Sequence, residues 1–479
     1  MRFLFRLRNF MDSVRRPERK VMKMMKPLII IYGSTGTGKS DLAVELATRF
    51  NGEVINADAM QMYRGLPIIT NKLSVQQQGG VPHHLLGSIE LDEDPWTVTH
   101  FKREATRIIS EIRARGKLPI VVGGTSYYLD SLVFEGRLVE GQSPVGGGAS
   151  SRDDLAEKHP ILAGSADAML AKLREVDPVM ANKWHPNDVR KIRTSLEIYF
   201  ATGRPASEIY AEQRSKKVSR SAVQTPTQSH ILGNILLFWL YARREALNER
   251  LDKRVDKMVQ NGLLNETAEV HDYLQRRLAA GETVDRSKGI WQSIGFRQFE
   301  PYLNTLKEAP ESPELEKLKQ AGIEDTKAGT RQYAKYQVRW VTFKTLPSLQ
   351  DDQLLERFYL LDSSDVQRWN DEVLDKGVEL ARRFLAGEEL PQPVEVSETA
   401  REVLTEKIEK STQQPTPCRK TCDVCNKTLL TEELWQNHIT SKKHHKAVQA
   451  AKKRALLPSH HFPSKAVMVT ESGTSGDAP

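Results

Sequence analysis

Three cysteines in 479 residues are too few for a disulfide framework and suit a reducing compartment. No stretch approaches the roughly 20 consecutive apolar residues of a membrane span, so no membrane partner is expected. No internal repeat is apparent, so the fold is not an array of one unit. Neither sign of charge dominates: 70 Lys and Arg stand against 62 Asp and Glu, a net charge of +8. Such a balance permits a polyanionic partner without demanding one. Acid is scarce only locally. The first 26 residues carry nine Lys or Arg against Asp12 and Glu18, with Phe3, Leu4, Phe5, Leu7 and Phe10 interleaved. That arm reads equally as an amphipathic mitochondrial presequence or a disordered basic segment, with Met1, Met11 and Met22 as alternative starts. The expected compartments are cytoplasm and mitochondrion, with the nucleus as a third.

What is present begins with Gly33-Ser34-Thr35-Gly36-Thr37-Gly38-Lys39-Ser40, a full G-x-x-x-x-G-K-[ST] phosphate loop. It follows the apolar run Leu28–Tyr32 and leads into a helical pattern, the context this motif requires. Its glycines let successive N–H groups turn inward around an anion, while the helix N-terminus and Lys39 add positive charge. The loop is expected to hold a diphosphate or triphosphate.

Strand and helix then alternate. Leu42, Val44, Leu46 and Ala47 give an apolar helix face, Glu53–Asn56 reads as a second strand, and Leu118–Val122 follows a helix over 97–115. This order predicts a parallel sheet wrapped by helices, with ligands beyond the carboxyl ends of the strands. Gly33, Asp58 and Thr125 all fall at such ends. The fold class is therefore α/β, a P-loop NTPase-like sheet. An all-helical insertion domain interrupts it, and a small C-terminal zinc finger follows. The expected segments are an arm at 1–26, core at 27–131 and 228–365, and the insertion at 132–227. A helix and solvated tether at 366–417, the finger at 418–452 and a disordered tail at 453–479 complete the chain. The Pro-, Glu- and Thr-rich composition of 391–417 motivates the tether.

Cys422-x2-Cys425-x12-His438-x5-His444 has the ligand types and spacing of a tetrahedral Cys2His2 zinc site, with His445 as an alternative to His444 and Cys418 left over. No acidic residue lies between Glu433 and Glu471, whereas Lys442, Lys443, Lys446, Lys452, Lys453 and Arg454 do. A zinc-pinned helix of one charge sign suits a nucleic-acid backbone. Pro82-His83-His84 is a weaker metal signal, because adjacent histidines on a strand point apart.

A kinase or ATPase would need a second aspartate at a strand end for its magnesium, and no such residue is evident. After the second strand comes Asp58-Ala59-Met60-Gln61-Met62-Tyr63-Arg64-Gly65-Leu66 instead. With the phosphate loop, this resembles the tRNA dimethylallyltransferase (tRNA isopentenyltransferase) family, whose signature is Asp-Ser-Met-Gln-Val-Tyr. Pro82–Leu85, Gly123–Leu129, His185–Asp188, Trp291–Phe296 and Thr330–Lys335 match in order as well. The appended zinc module is similar to the eukaryotic form.

The resemblance implies transfer of a dimethylallyl group from dimethylallyl diphosphate to the exocyclic amine (N6) of adenosine 37 in the tRNA anticodon stem-loop. It also implies Mg2+ for catalysis beside the structural Zn2+. Residues matching the family's catalytic set are Asp58 as general base, Thr35 on the diphosphate, and Arg250, with Arg254 one turn on as the alternative. The tRNA-contacting set maps to Asp58, Ala59, Met60, Gln61, Thr125, Arg190, Lys191, Ile192, Arg193, Thr194, Arg331 and Lys335. Ala59 stands where the signature has serine, so a backbone N–H or amine must replace that hydroxyl. Thr194 stands where the family's Gln-Arg-x-x-Arg has its last arginine. Lys327, Arg331, Lys335 and Arg339 recur every four residues as a basic stripe. Tyr333, Tyr336 and Trp340 interleave with it, as core or as base-stacking platforms. The chemistry agrees with the resemblance: a phosphate cradle stabilises a diphosphate leaving group, and a carboxylate takes the proton of a poorly nucleophilic amine. A monomer is expected. The rival readings are an adenylate isopentenyltransferase, a small-molecule kinase, and a non-catalytic RNA-binding protein.

Overall fold

A computed structural model describes residues 26–134, 155–212, 234–412 and 416–455. All but the last residue of the expected arm at 1–26, the Gly/Ser-rich stretch at 141–151, the return linker at 216–229 and residues 456–479 lie outside the described residues. In chain order the elements used below begin with β1 (Leu28–Gly33), α1 (Lys39–Arg49), β2 (Gly52–Asn56), β3 (His83–His84), α2 (Val98–Ala114), β4 (Leu118–Val122) and α3 (Ser126–Val133). Then come α4 (Ala166–Val176), α5 (Pro178–Lys183), α6 (Val189–Thr202), β5 (Ile235–Tyr241), α7 (Arg244–Gln260), α8 (Leu263–Ala279), α9 (Phe296–Glu308) and α10 (Leu315–Trp340). The rest are β6 (Phe358–Asp362), α11 (Lys376–Ala386), α12 (Glu398–Thr412), β7 (Pro417–Cys422), β8 (Lys427–Thr431), α13 (Glu432–Ile439) and α14 (Lys442–Ala455).

The chain divides into two compact units, Met1–Gln142 with Glu208–Gln413, and Ser143–Ser207 with Gln414–Pro479. In the first, β1 to β6 form one sheet in the order β3-β2-β4-β1-β5-β6, every pair parallel. Strands β1, β4, β5 and β6 are apolar runs because both faces of the sheet are covered. Leu28, Ile30 and Tyr32 of β1 point to the layer that contains α2, α3, α8 and α9. Ile29 and Ile31 point to the opposite layer, made by α1 and α11. Asp130 ties α10 to this core. It accepts from Tyr32 Oη at 3.2 Å, Trp340 Nε1 at 2.7 Å and Thr345 Oγ1 at 3.0 Å. Trp340 is thereby anchored to the core, whereas Tyr336 is exposed.

One segment departs from expectation. The stretch read as a solvated tether contains α12, which buries Ala400, Val403 and Leu404 against the sheet's first layer. Its three apolar residues sit at i, i+3, i+4, a short amphipathic stripe that the surrounding Pro, Glu and Thr obscured.

The second unit pairs the helical insertion with the finger. Met169, Leu170, Leu173, Met180, Ala181, Ile192, Leu196 and Ile198 are buried across α4–α6. Asp177 N-caps α5 by accepting from Met180 N at 3.1 Å and reaches Ser207 N at 2.9 Å. The finger is a β7–β8 hairpin followed by α13 and α14. It meets the insertion at His185 Nε2, 3.0 Å from the Thr428 carbonyl, and at Arg419 Nη1, which donates to the Ala181 carbonyl at 3.2 Å.

Candidate active site

The phosphate loop turns between β1 and α1. Gly38 sits at φ +80°, and a Cβ there would meet the Trp369 indole nitrogen at 2.8 Å, so only glycine fits the last turn. Thr37 Oγ1 donates to the Ser34 carbonyl at 2.9 Å, and Lys39 Nζ donates to the same oxygen at 2.6 Å. Burial pulls the Lys39 ammonium down to about 8, with Asp58 opposing and Arg254 reinforcing the shift. A cation left short of solvent in this way gains most from a bound polyanion.

Three strand ends meet above the loop. Ala57 N donates to the Val122 carbonyl at 2.8 Å, Thr125 N to the Ala57 carbonyl at 3.3 Å, and Gly123 N to the Ile31 carbonyl at 3.4 Å. A Cβ on Gly123 would lie 2.2 Å from the Ala57 carbonyl, and one on Gly124 would lie 2.9 Å from Asp58 Oδ2. The Gly123-Gly124 pair therefore lets the Asp58 carboxylate lie directly over the β4 loop. Oδ1 of Asp58 accepts from Met60 N at 3.1 Å. This closes a turn over 58–62 rather than capping a helix. Burial raises the Asp58 carboxyl above its ordinary range. Lys39 and the backbone N–H groups of Met60, Gln61 and Gly124 act the other way. Ala59 N donates to Thr125 Oγ1 at 3.1 Å. Gln61 commits its amide nitrogen to the Thr70 and Asn71 carbonyls, which leaves its oxygen for other work. The resulting polar cleft is lined by Thr35, Gly36, Gly38, Lys39, Ser40, Asp58, Gln61, Gly124, His83 and Arg254, among others.

Several residues fall differently from the sequence reading. Arg250, placed first as the catalytic arginine, spends its guanidinium on the Gly36 carbonyl at 2.7 Å and on the Ser363 and Ser364 carbonyls at 2.7 and 3.1 Å. Arg254 instead lines the cleft and donates to Thr35 Oγ1 at 2.8 Å. One helical turn separates them, and spacing alone could not say which faced the loop. Along α10, Arg331 pairs with Asp252, and Lys327 pairs with Asp256 at 2.8 Å. The basic stripe is thus half neutralised by α7, while Lys335 and Arg339 remain exposed. In α6, Arg190 and Lys191 are exposed and Arg193 pairs with Glu197 at 3.2 Å. Ile192 and Thr194 are buried, so their side chains face the insertion's own core and not a ligand. The adjacent histidines diverge: His84 pairs with Glu53 at 2.7 Å, and His83 with the Val81 carbonyl at 2.8 Å.

Gln337 was missed. Its Oε1 accepts from Thr35 N at 2.9 Å, and its Nε2 donates to the Gly124 carbonyl at 2.8 Å. One buried amide therefore fixes the phosphate loop to the loop over which Asp58 lies. The available signal was a polar residue at a core position, since Ala334, Gln337 and Val341 are buried at helical spacing.

In the finger, Cys422, Cys425, His438 and His444 present one ligand atom each within 4.8 Å of one another. His444 Nδ1 lies 3.6 Å from both sulfurs, close to the edge of about 3.5 Å for a tetrahedral zinc centre with ordinary bond lengths. His438 Nε2 is buried with no hydrogen-bond partner among the described residues, as a metal-facing nitrogen must be. His445 Nδ1 pairs with the Ser441 carbonyl at 3.0 Å, which resolves the choice in favour of His444. The donor set fits Zn2+.

Comparison with known proteins agrees with this geometry. The IPP transferase family matches residues 61–344, an isopentenyl transferase family residues 26–77, and a zinc-finger double-stranded RNA-binding family residues 419–444. The tRNA dimethylallyltransferase of Schizosaccharomyces pombe is 38% identical over 449 residues, covering 90% of this chain and 97% of its own. The human tRNA dimethylallyltransferase is 35% identical over 438 residues, covering 90% and 87%. A eukaryotic dimethylallyltransferase solved acting on tRNA superposes with a TM-score of 0.70 at 33% identity, over 90% of this chain and 98% of that one. The chain belongs to the tRNA dimethylallyltransferase family, the IPP transferases.

Proposed function

We propose that the protein transfers a dimethylallyl group from dimethylallyl diphosphate to N6 of adenosine 37 in the tRNA anticodon loop, releasing diphosphate. The observation that carries this reading is the juxtaposition of the Asp58 carboxylate with the phosphate loop, Lys39 and Arg254 in one cleft. In the reaction the allylic C–O bond breaks, the N6 lone pair forms the new C–N bond, and Asp58 takes the N6 proton. Loop N–H groups, Lys39, Arg254 and the Thr35 hydroxyl hold the charge that grows on the diphosphate. A base in a single-stranded loop costs less to extrude into such a cleft than one in a duplex. Gln61, which lines the cleft with its amide nitrogen engaged elsewhere, meets the base edge in this reading, with Thr125 beside it. Arg190 and Lys335 are exposed bases for the tRNA backbone, whereas Lys191 is exposed but paired with Asp188 at 2.7 Å.

Magnesium fits the cleft as an ion that arrives with the donor. The Ser40 hydroxyl would be the loop's own ligand to such an ion, whose other partners are ordinarily phosphate oxygens and water, and the chemistry it would supply is neutralisation of diphosphate charge.

The deciding experiment supplies labelled dimethylallyl diphosphate to tRNA, to AMP, and to the same tRNA with adenosine 37 replaced by guanosine. Label is expected in the unaltered tRNA alone, recovered as N6-isopentenyladenosine after digestion. Label in AMP but not tRNA would assign an adenylate isopentenyltransferase, and label in the substituted tRNA would refute the position.

A further inference from the structure

Helix α10 reaches the cleft with two side chains one turn apart, Tyr333 and Gln337. The Gln337 side chain is buried, accepting from Thr35 N at 2.9 Å through Oε1 and donating to the Gly124 carbonyl at 2.8 Å through Nε2. The Thr35 N–H therefore faces the helix. Its neighbour in the phosphate loop does the same, since Ser34 Oγ donates to the Ala334 carbonyl at 3.3 Å. The Tyr333 hydroxyl makes hydrogen bonds with the side chains of both Thr125 and Gln337. Burial, with the nearby Asp58 charge, raises this phenol well above its ordinary range, so it keeps its proton. Thr125 Oγ1 in turn accepts from Ala59 N at 3.1 Å, the residue next to Asp58. A polar chain thus runs from Thr35 through Gln337, Tyr333 and Thr125 to Ala59, from the diphosphate cradle to the turn that carries Asp58. Such a chain specifies one geometry, because a member moved out of place leaves its neighbours unpaired.

We infer that Tyr333 and Gln337 are positioning residues of the transfer reaction: together they hold the Asp58 turn at one distance from the diphosphate cradle. The cradle and the base sit on separate stretches of backbone, 33–40 and 57–62, and the reaction needs both at once. Asp58 must meet N6 while the loop holds the leaving group. A misplacement of about 1 Å between groups so related costs about 10²-fold in rate. Tyr333 acts on the Asp58 side, through Thr125, whereas Gln337 acts on both sides, through Thr35 and Gly124. The inference rests on the proposed transfer from dimethylallyl diphosphate to tRNA.

Two substitutions and their combination in the full-length protein test this. Tyr333→Phe keeps the ring that stacks on Tyr336 at 6.5 Å and removes only the hydroxyl. Gln337→Met keeps the length of the side chain and loses both bonds. Tyr333→Phe is expected to lower single-turnover transfer at saturating donor and tRNA by about tenfold to 10²-fold, with donor affinity within about twofold. Gln337→Met should lose at least as much rate and also weaken donor binding several-fold, because it frees Thr35 in the cradle. The double variant should fall no more than about threefold below Gln337→Met, since members of one network do not add. Single-turnover rates within about threefold of the unsubstituted protein, with only the thermal midpoint lowered, would reduce both residues to packing and overturn the proposal. A loss fully recovered by saturating donor would overturn it too, as would losses that multiply in the double variant. The unsubstituted protein is scored in parallel: no transfer from it into tRNA would refute the reaction itself, whereas normal transfer with any of those three results refutes the positioning role alone.

Discussion

Asp58→Asn tests the chemistry most directly, because it keeps the side chain's shape while removing its negative charge and its capacity to accept a proton. Asn retains Oδ1, so the bond from Met60 N at 3.1 Å survives and the 58–62 turn keeps its shape. Its amide is no larger than the carboxylate, so the clearance that Gly124 gives Oδ2 still suffices. The negative charge that opposes the burial of Lys39 disappears, and a dianionic donor no longer meets a carboxylate beside its cradle. Donor affinity should therefore hold or improve slightly. Proton acceptance is lost entirely, and a positioned base contributes about 10²–10⁴ in rate, equivalent to about 3–5 kcal/mol of barrier. Single-turnover transfer at saturating tRNA and donor should fall by that factor. The pH profile of kcat/KM for the donor adds a second readout. The raised Asp58 carboxyl predicts an acid limb above its ordinary 3.8, where activity is lost as pH falls and the base becomes protonated. Lys39 predicts loss on the alkaline side as pH rises through about 8, where the free enzyme's cradle sheds its charge. In the Asn protein the acid limb should vanish and the alkaline limb move to lower pH. A rate loss below tenfold, or an acid limb that persists, would remove Asp58 from the mechanism.

Arg254→Gln is expected to raise the KM for dimethylallyl diphosphate at least about tenfold, as loss of a charge-assisted contact should. Arg250→Gln should act chiefly on stability, lowering the thermal midpoint through its bonds to the Gly36, Ser363 and Ser364 carbonyls. Steady-state kinetics and thermal melts on both proteins check the division. Chelation of zinc, or His438→Ala, should weaken tRNA binding most at low salt while leaving donor binding intact, measured by titration at two ionic strengths. Glu53 supplies a stability test in acid. Burial alone would raise its carboxyl, but hydrogen bonds and charge from Arg115, His84 and Lys117 hold it at about 2. A depressed carboxylate stabilises above its unfolded value of 4.5, and that contribution drains as pH falls from there towards 2. Glu53→Gln should be less stable than the unsubstituted protein at pH 6, and the difference should narrow at pH 3 in denaturant titrations.

The sheet was legible because its strands are sandwiched. Leu28–Tyr32, Leu118–Val122, Ile235–Tyr241 and Phe358–Asp362 are continuous apolar runs of strand length, and each is a strand. β3 escaped because two half-buried histidines carry neither alternation nor an apolar run. The cradle was legible for a different reason. A loop that wraps an anion is built from backbone, so its requirements are written as glycines at fixed offsets. Asp58 and Thr125 followed from the rule that ligands gather at strand ends.

What sequence concealed is the choice between neighbours on one helix, and the identity of struts. Arg250 and Arg254 share a face of α7, and only the path of the 363–364 backbone decides that one binds carbonyls while the other reaches Thr35. Ile192 and Thr194 sit inside a basic segment, yet their burial follows from contacts with α4 and α5 that no local pattern encodes. Gln337 is the most consequential of these. Its amide bonds both Thr35 N and the Gly124 carbonyl. On the same helix, Asp130 anchors Trp340 less than one turn later. The position of α10 therefore sets the distance between the diphosphate cradle and the loop beneath Asp58. That same helix displays Lys335 and Arg339 to solvent. One helix thus bears on both sides of the cleft, through a glutamine, and also carries exposed basic residues.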